Sequence, residues 1–526
     1  MTNEYILAKY DIRGKQEYIY QGTRHIKEIV GGSCIIRDCF KDYLFEAAIQ
    51  YRNKLKKRDD YHPAIFNWDN QNIPFSVSEF TERMQQGIYL GEVIYSGGGN
   101  VLILYKNKEV CCSINKIFSQ DLMQHTYSLR VLCTYIENVN FKNFKEDREK
   151  LNRKHLINEN RDGVTAPCQT LPFSKVDYET SMPLYKSQMI TKKPLKYSQV
   201  SRESYLKYEK YWKVEEEEKE ILGEKLLDAM VTEKGEESLL AIIYIDGNNM
   251  AANFNQCLEG ENKGYMSCVT ELRRFSEEIQ MNYIKNRCDD IDKALAEKYK
   301  NKKRRFVVFA GDEITFICNA RDAYDLTKAY FANLPSHCSS CAGIAIFHSH
   351  APYADAYRIA EECCESGKSK MKKEAIQNAN LIDVHYCQGA IGIDLKTIRK
   401  KEVGILISKP WFISVPEELK NRENVDINQY ITVTMVEKMA EELNKTGRSN
   451  IKSLAEYAKR GIGDLKMELA RIKAHSKQKF DFSLNGALNE EQMKNLIYDI
   501  VILYDLWFAK EEQQKGIKNE QEKSSS

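Results

Sequence analysis

Three acidic residues follow apolar runs in the second half of the chain. Asp246 ends the run SLLAIIYID, and Asp312 and Glu313 lie at the glycine turn of RRFVVFAGDEITFIC. The first run is typical of a buried strand, and the second of a hairpin that turns at Gly311. In a β-α-β-β-α-β arrangement the first strand and this hairpin are neighbours, so we expect the three carboxylates to converge at one end of a sheet.

The chemistry predicted for these carboxylates is the binding of a hard divalent cation. Mg²⁺ and Mn²⁺ prefer oxygen ligands, and Mg²⁺ keeps waters for substrate phosphates. The three side chains and the carbonyl of Gly247 could hold one or two such ions, which would align an attacking hydroxyl with an α-phosphate. Gly311 has no Cβ and would leave room for a phosphate. An ordinary hairpin turn is the alternative, because Gly-Asp pairs are common in turns.

The same order of elements occurs twice in the chain. YILAKYDI carries Asp11 where SLLAIIYID carries Asp246, and the hairpin GEVIYSGGGNVLILY corresponds to the hairpin with the acidic turn. Aligning the two turns places Gly99 on Asp312. The repeat predicts a duplicated ferredoxin-like domain, an arrangement that also describes polymerase palms. Only the second copy has acids in its turn, so we expect one catalytic copy and one that binds or braces.

Other reactive side chains have more ordinary interpretations. Lys368, near the end of the helix AEECCESGK, could reach a triphosphate, but on the residues alone a solvated lysine that stabilises the helix dipole is favoured. His348 and His350 share one strand face and provide only two ligands, which favours a structural role. Cys338 and Cys341 have C-x-x-C spacing without a second pair to complete a zinc site, so we expect them to flank or enter the strand AGIAIF.

Length and composition limit the class of protein. The chain has 526 residues, 42% of them hydrophobic, which suggests about three domains. Lys plus Arg is 78 and Asp plus Glu is 76, a net charge of +2, so bulk charge gives no argument for nucleic-acid or membrane binding. With no secretory pattern at the N-terminus and no membrane-length apolar run, we expect a cytoplasmic protein whose fifteen cysteines are reduced, with no membrane partner.

The fold class expected from these patterns is α+β, with two ferredoxin-like palm domains, an irregular connector and a C-terminal helical domain. The connector is expected because apolar periodicity is weak there, and the tail because it is polar and of low complexity. The predicted segments are 1–159 (first palm, catalytically degenerate), 160–225 (connector), 226–405 (second palm, catalytic), 406–509 (helical domain) and 510–526 (disordered tail).

Several segments resemble, in the right order, the large subunit of type III CRISPR effector complexes, the CRISPR polymerase that makes cyclic oligoadenylates. They are YDIRGKQEYIYQ, GGSCIIRD, YSGGGN, IDGNNM, AGDE and HSHAPYADAYRIAEECCESGK. AGDE stands where the family has Gly-Gly-Asp-Asp, and GGDEF cyclases share parts of the pattern. The resemblance spans roughly residues 4–400 and implies two palms with two ATP molecules between them, the 3′-hydroxyl of one attacking the α-phosphate of the other.

The resemblance also implies roles for individual residues and a function. Asp246 and Asp312 would be the metal ligands, with Glu313 in support, and the ion would be Mg²⁺ or Mn²⁺. The residues implied to contact nucleotide are Gly247, Ser276, Gly311, Lys368 and Ser33. The implied activity is that of a nucleotidyltransferase that converts ATP to cyclic oligoadenylate, or to a related cyclic nucleotide, in antiviral defence.

The sequence departs from the family pattern at several places. Asn248 replaces the second Asp after Gly247, and Glu313 replaces an Asp, which predicts weaker metal binding or altered substrate choice. The family's zinc-binding cysteine pairs between the palms are missing, with only Cys168 in that region, so a reduced zinc-ribbon-like region is expected. The first palm begins at about residue 4, and we expect a short form that lacks the HD nuclease domain.

Two non-catalytic functions remain open from the sequence. The chain could be a scaffold subunit of an RNA-guided ribonucleoprotein, holding guide or target RNA and small CRISPR effector subunits through its C-terminal helical domain. It could also be a nucleotide sensor, in which the first palm binds a ligand through Asp11 and Ser33 and gates a partner.

Overall fold

A computed structural model describes most of the chain. The described residues are 4–20, 25–56, 62–68, 73–161, 173–178, 180–191, 195–218, 230, 238–259, 263–298, 304–387, 393–402, 404, 407–423, 426–476, 479–484 and 486–509. The predicted tail at 510–526 and Cys168 lie outside them. Within these ranges no helix combines the length and the apolar character that crossing a membrane requires.

The strands occur in two groups along the chain, separated by a helical stretch. Their bounds are β1 (Tyr5–Arg13), β2 (Ile65–Phe66), β3 (Gly91–Gly97), β4 (Asn100–Tyr105), β5 (Arg130–Val139), β6 (Leu184–Thr191), β7 (Lys196–Ser201), β8 (Leu239–Gly247), β9 (Arg305–Ala310), β10 (Glu313–Asn319), β11 (Ser340–His348), β12 (Leu381–Tyr386) and β13 (Trp411–Phe412).

Helices make up most of the remaining described chain. The α-helices are α1 (Lys15–Tyr20), α2 (Ile26–Cys39), α3 (Glu46–Lys56), α4 (Val77–Gln86), α5 (Lys108–Thr126), α6 (Phe144–Arg161), α7 (Arg202–Glu218), α8 (Met250–Gln256), α9 (Tyr265–Ile279), α10 (Asn286–Lys298), α11 (Ala323–Ala332), α12 (Tyr353–Lys373), α13 (Leu395–Glu402), α14 (Glu417–Lys420), α15 (Val433–Leu443), α16 (Arg448–Arg460), α17 (Ile462–His475) and α18 (Glu490–Leu503). Segments of π-helix (Phe40–Phe45, Gln280–Lys285 and Tyr504–Phe508) follow α2, α9 and α18, and a 3₁₀ turn spans Ile427–Gln429.

The first sheet has the strand order β2-β3-β4-β1-β5. Strand β1 lies between β4 and β5 and is antiparallel to both, while the short β2 is parallel to β3. The hairpin predicted at GEVIYSGGGNVLILY is confirmed as β3 and β4, with Asp11 of β1 opposite Asn100 at the start of β4. Alternation along β1 buries Tyr10 and Ile12, whereas Asp11 is only partly buried.

The second sheet has the strand order β13-β12-β11-β8-β10-β9. Strand β8 is antiparallel to β11, with Asp246 opposite Cys341, and β11 is parallel to β12. Cys341 lies on β11 and Cys338 just before it, as the sequence predicts. In both sheets the four strands that correspond to β-α-β-β-α-β run in the spatial order fourth, first, third, second, which is the order expected from the repeat.

The segment predicted to be an irregular connector contains regular structure in its described part. Strands β6 and β7 form a two-stranded antiparallel sheet, and α7 follows directly. The helix was hard to see in the sequence because two of its buried positions are tyrosines, Tyr208 and Tyr211, which a hydropathy pattern counts as weakly polar. Helices α15 to α18 lie within 406–509, the segment that the sequence predicts to be a helical domain.

The chain divides into two compact units. The first comprises Met1–Glu224, Asn249–Lys285 and Val307–Ile314, and the second comprises Lys225–Asn248, Asn286–Phe306 and Thr315–Ser526. A large apolar cluster in the first unit joins residues of β1, β3 and β4 to Tyr265, Val269 and Leu272 of α9. The domain boundaries given by the sequence stay predictions.

Candidate functional site

The two hairpin turns of the repeat touch within the first unit. The first turn is Gly98–Gly99, between β3 and β4, and the second is Gly311–Asp312, between β9 and β10. A Cβ at position 311 would lie 2.5 Å from both the N and the Cα of Gly98, and both glycines have positive φ, +70° at Gly311 and +60° at Gly98. The close approach that we expected a phosphate to make at Gly311 is therefore made by the backbone of the first turn.

A cavity of 360 Å³ in the first unit receives the side of the second turn that carries Asp312. Its walls are largely aromatic and aliphatic, with a few amides and cations. The lining residues are Lys9, Tyr95, Gly97, Gly98, Asn100, Leu102, Arg148, Leu151, Asn152, Met250, Ala251, Phe254, Phe275, Ile279, Gly311 and Asp312. The volume lies within the range of about 300–1,000 Å³ that is usual for small-molecule sites, and convergent polar groups on apolar walls are typical of them.

Electrostatic effects tie Asp312 to the wall of this cavity. Burial, and then the negative charge of Asp312, raise the pKa of the Tyr95 phenol above its usual value. On the same wall the guanidinium of Arg148 lies 4.3 Å from the ring centroid of Phe254, and its Nη1 donates to Oδ1 of Asn255 at 2.9 Å. Burial lowers the pKa of Arg148, although an arginine remains charged at neutral pH. The cavity thus offers an aromatic face and one fixed positive charge.

A second cavity of 220 Å³ in the first unit contains Glu313, the residue after Asp312. It is lined by Gly14, Lys15, Gln16, Glu17, Ile19, Ser33, Ile36, Val308 and Glu313. Nζ of Lys15 donates to the carbonyl of Gly98 at 2.6 Å, so this lysine also supports the first turn. Glu313 and Ser33 therefore line the same cavity. Asp312 and Glu313, although consecutive in the chain, line different cavities.

Both serines that the resemblance implies as nucleotide contacts are buried and bonded to backbone. Ser33 Oγ donates to the carbonyl of Val307, and Ser276 Oγ donates to the carbonyl of Ser96 and accepts from its N–H at 3.3 Å. A hydroxyl has one proton to donate. In this arrangement the oxygen of each serine could only accept a hydrogen bond from a ligand, for example from a ribose hydroxyl or an amino group.

Asp246 and Lys368 form an ion pair in the second unit. Nζ of Lys368, on α12, donates to Oδ2 of Asp246 at the end of β8, and also lies 3.6 Å from Oε1 of Glu365. Burial would lower the pKa of Lys368, but the charge and hydrogen bond of Asp246 outweigh it and raise that pKa above its usual value. Lys368 is therefore a partly buried cation on the predicted metal ligand, and not the solvated helix-end lysine that was the alternative.

Asn248, where the family pattern has a second acid, is buried in the second unit. Its side-chain Nδ2 donates to the carbonyl of Ala379 at 2.9 Å and to Oγ of Ser339 at 3.3 Å, and its backbone N–H donates to the carbonyl of Ser339. A carboxylate has no proton for either side-chain bond. The departure from the family pattern therefore coincides with a structural role for the amide, beside Gly247, which pairs with Ser340 of β11.

Asp11, the first-copy counterpart of Asp246, is tied to neighbours within the first unit. Its Oδ2 accepts from Nη1 of Arg13 at 2.9 Å and lies 3.2 Å from Nε2 of His155. Burial, and then the charge of Lys9, lower the pKa of His155, against the opposing effect of Asp11. Asp11 is not among the residues that line the cavity containing Ser33, and the sensor hypothesis stays a prediction.

The donor chemistry of Asp246, Asp312 and Glu313 suits Mg²⁺ or Mn²⁺, which prefer carboxylate oxygens. Among the residues that the structure describes, no group of three or more His, Cys, Asp or Glu side chains is arranged to hold a metal ion. Mg²⁺ is commonly held by one or two carboxylates together with the phosphates of a substrate. The donor chemistry of the three residues fits an ion that is held in part by substrate phosphates.

Several residues of these cavities were not identified from the sequence. Arg148 and Phe254 lie 106 positions apart, and Tyr95 is far from both, so no local spacing marks them as one wall. Lys15 could have been identified from the sequence, because it lies inside the segment YDIRGKQEYIYQ, which resembles the family.

His348 and His350 lie with ring centroids 5.3 Å apart, and the backbone N–H of His350 donates to Nδ1 of His348.

Fold and site together define an α+β protein with two sheets of one strand order, whose glycine turns meet between two cavities. Comparisons with known proteins give further information on the class of protein, and they do so only through similarity of fold. No family model matches the chain, and no curated protein matches it. Solved structures do match.

A chain in the crystal structure of an apo Csm1-Csm4 cassette aligns with a TM-score of 0.50 and 11% identity, covering 95% of this chain and 70% of that one. Chains from the Csm1-Csm4 cassette in complex with cA3 and from the Csm1-Csm4 subcomplex in the type III-A CRISPR-Csm interference complex align with TM-scores of 0.49 and 0.48, each at 9% identity and with the same coverage. The resemblance to the type III CRISPR large subunit is confirmed at the level of the fold.

Proposed function

We propose that this protein is a nucleotidyltransferase that joins ATP molecules into a cyclic oligoadenylate or a related cyclic nucleotide, with Mg²⁺ or Mn²⁺. The observation that carries the proposal is the contact between Gly98 and Gly311, with one cavity on each side and an acidic residue of the second turn facing each cavity. Each sheet with its helices would be one palm. The product class comes from the sequence resemblance.

The two cavities give two nucleotides places on either side of the touching turns. The 360 Å³ cavity would take a base against Phe254 and Tyr95, with Arg148 near the sugar or phosphates. The 220 Å³ cavity would take part of a second nucleotide, with Lys15 as the nearby cation and Ser33 as an acceptor. Holding both reactants side by side makes the attack of a hydroxyl on an α-phosphate effectively unimolecular.

The acidic residues would act on the reacting phosphate. Asp246, Asp312 and Glu313, with the carbonyl of Gly247, would be the ligands of one or two metal ions, which when bound would supply charge stabilisation for the transferring phosphoryl group and the leaving pyrophosphate. The side chains themselves contribute fixed negative charge that selects a cation. Because consecutive residues Asp312 and Glu313 open onto different cavities, their carboxylates would serve different nucleotides.

Lys368 would change partners during binding. Without nucleotide, the ammonium group of Lys368 forms an ion pair with Asp246, the predicted metal ligand, and neutralises its charge. When a metal–nucleotide complex occupies the site, the lysine would move to the triphosphate, where a point charge is favourable. This exchange keeps Asp246 paired before substrate binds, and so limits the cost of holding an unpaired carboxylate there.

The test is turnover of ATP by the purified chain with Mg²⁺ or Mn²⁺, with and without candidate RNA. Pyrophosphate release gives the rate and mass spectrometry of the products gives their identity. We expect Asp312→Asn to lower the rate by a factor of at least about 100, because it removes a charge that acts on the transition state. The matched control is Asp289→Asn, which removes an exposed acid of α10 and should leave the rate unchanged.

Equal product from the wild type and Asp312→Asn, under every condition that gives any product, would contradict the proposal. A folded protein with no product in any condition would contradict it as well. Circular dichroism of each variant separates loss of activity from loss of fold.

A scaffold function is the second candidate, and two observations favour it. Asp246 is already neutralised by Lys368, and the described residues contain no ready group of three metal-binding side chains. As a scaffold the chain would hold guide or target RNA and small effector subunits through α15 to α18, and a Csm4-like partner as in the Csm1-Csm4 cassette. Asp312→Asn would then leave assembly with these partners unchanged, and wild type would give no product.

A further inference from the structure

A cluster of tyrosines and cations covers one part of the hairpin β6–β7 and the start of α7, all within the first unit. Nζ of Lys186 lies 5.4 Å from the ring centroid of Tyr185 and 5.3 Å from that of Tyr205, and the two rings meet edge-on at 5.5 Å. The guanidinium of Arg202 lies 5.7 Å from the Tyr185 ring. We name these four residues the tyrosine–lysine face. Tyr185 is 46% exposed, which is high for an aromatic side chain.

The cluster is held in place from the neighbouring helix α5. Nη2 of Arg202 donates to the carbonyl of Gln124 at 3.2 Å, and its guanidinium also lies 5.8 Å from the ring of Tyr127. Arg202 therefore has a backbone anchor and aromatic neighbours on both sides. A cation fixed between rings presents its remaining N–H groups to solvent in a defined direction.

Further exposed tyrosines and lysines occur in the same stretch of chain. Tyr178 is 99% exposed and Tyr197 is 56% exposed, and Lys175 and Lys196 are exposed in the same stretch of chain. An exposed aromatic ring is not stabilised by burial in the protein core. Several such rings within thirty residues therefore indicate a partner that has flat surfaces of its own.

The described cations of this surface outnumber its acids, although one acid, Glu209, is exposed beside Tyr205 and keeps its negative charge. Asp177 is buried and accepts from the backbone N–H of Ser201 at 2.8 Å. Glu203 pairs with Lys207, and Glu209 accepts from the hydroxyl of Tyr205. Among the described residues, Lys175, Lys186, Lys196 and Arg202 form no ion pair with an acid. In a chain whose net charge is only +2, this is a local basic surface.

We propose that the tyrosine–lysine face binds single-stranded nucleic acid. Bases that are not paired can stack on exposed tyrosine rings, and the lysines and Arg202 would neutralise the phosphates between them. A duplex keeps its bases stacked inside and could use only the charges. A protein partner would be expected to meet an apolar core with few lysines, whereas here a lysine lies against the rings. The stacking is sequence-tolerant because every base has a flat face.

This inference does not depend on the nucleotidyltransferase proposal. The tyrosine–lysine face includes none of the residues that line the two cavities. Asp312→Asn should therefore leave oligonucleotide binding unchanged, and changes in the face should leave basal turnover of ATP unchanged. Failure of either proposal would be visible without the other.

The test is fluorescence anisotropy of labelled twelve-nucleotide poly(U) RNA and poly(dT) DNA with the full chain at low salt. We expect both to bind, and the double variant Tyr185→Ala/Lys186→Ala to weaken binding by a factor of about 10 or more, since one stacked base contributes about 1–3 kcal/mol. Lys186→Ala alone should make the slope of log K against log[salt] shallower by about 0.7. Tyr185→Phe keeps the ring and should keep the affinity.

The matched control is Tyr135→Ala/Lys154→Ala, which removes another cation–π pair, 4.7 Å apart, between β5 and α6. It should bind like wild type. Three outcomes would overturn the proposal: no binding of either strand at low salt, equal weakening by the control variant, or equal affinity for the corresponding duplex. Thermal unfolding of each variant confirms that the fold is kept.

Discussion

At the scale of single residues, the contacts of Asn248 and Lys368 explain features that the motifs alone do not. Asn248 replaces an acid, and its amide is committed to two oxygen acceptors in a buried place. Lys368, on helix α12 and 122 residues from Asp246 in the chain, donates a hydrogen bond to that carboxylate. Both facts concern hydrogen bonds between distant segments. Motif comparison registers the change of residue type but not the contact that favours it.

Restoring the family acid at position 248 should destabilise the protein. Asn248→Asp removes two donated hydrogen bonds and buries a charge against a carbonyl, so we expect a loss of about 1–3 kcal/mol or more of unfolding free energy. Chemical denaturation measures it. Asn249→Asp is the control, because this neighbour is exposed and Asp also tolerates its positive φ of 55°. A change within error for Asn248→Asp would contradict the structural role of the amide.

His385 on β12 should make stability fall as the solution becomes acidic. Burial, and then the charges of Lys409 and Arg399, lower its pKa to about 3, against Asp383. The unfolded chain binds a proton at His385 below about pH 6.5, and the native state does not, so stability is lost as pH falls from there toward 3. At pH 5 the loss from this residue is about 2 kcal/mol.

The measurement is the free energy of unfolding at pH 7 and pH 5. His385→Gln should remove this part of the pH dependence, while His62→Gln, which changes an exposed histidine, should keep it. The same slope in wild type and His385→Gln would show that the histidine is not held neutral.

At the scale of elements, helix α9 is fixed to β3 by a buried charge cluster. Nη2 of Arg273 lies 2.6 Å from Oε1 of Glu92, and Arg83 lies 3.0 Å from the other oxygen. Arg273 also donates to the carbonyls of Val93 and Ile73. This anchor positions the helix that supplies Ser276, Phe275 and Ile279 to the candidate site.

Removing the central charge of this anchor should be costly. Glu92→Gln keeps the shape but leaves Arg273 buried without its carboxylate, so we expect a loss of about 3–5 kcal/mol in unfolding free energy. Glu79→Gln breaks the exposed pair with the same Arg83 and should cost no more than about 0.5 kcal/mol. Similar losses in the two variants would contradict a buried anchor.

Much of the element order was available from the sequence, and much of the site was not. Strands such as SLLAIIYID and the two glycine hairpins carry their signal locally, in apolar runs and turn residues. The contact of Gly98 with Gly311 and the wall formed by Arg148 and Phe254 depend on packing between segments far apart in the chain. The hairpin β6–β7 was missed because the first four residues of β7 are all exposed, so the strand lacks the alternation of a half-buried strand.

At the scale of the whole molecule, charge is balanced in total but uneven in place. The net charge is +2, while the tyrosine–lysine face is locally positive and the second turn carries two adjacent acids. Such a molecule gains little from general repulsion between copies. Attraction between unlike regions of different copies is then weakly opposed.

Solubility should therefore depend on modest changes of pH. The net charge becomes more positive as pH falls, so copies repel more strongly at pH 6.5 than at pH 7.5. Static light scattering at fixed concentration should show more attraction at pH 7.5, and added salt should reduce the difference between the two pH values. Equal scattering at both would show that net charge does not control association.

The contact between Gly98 and Gly311 limits which residues the turns of the two copies can accept. A side chain at position 311 would meet the backbone of Gly98, in the copy whose turn has no acids. The backbone of the first turn therefore restricts which residue can stand beside Asp312 in the second turn. An attempt to shorten the protein to its acidic half would remove the surface against which that turn is shaped.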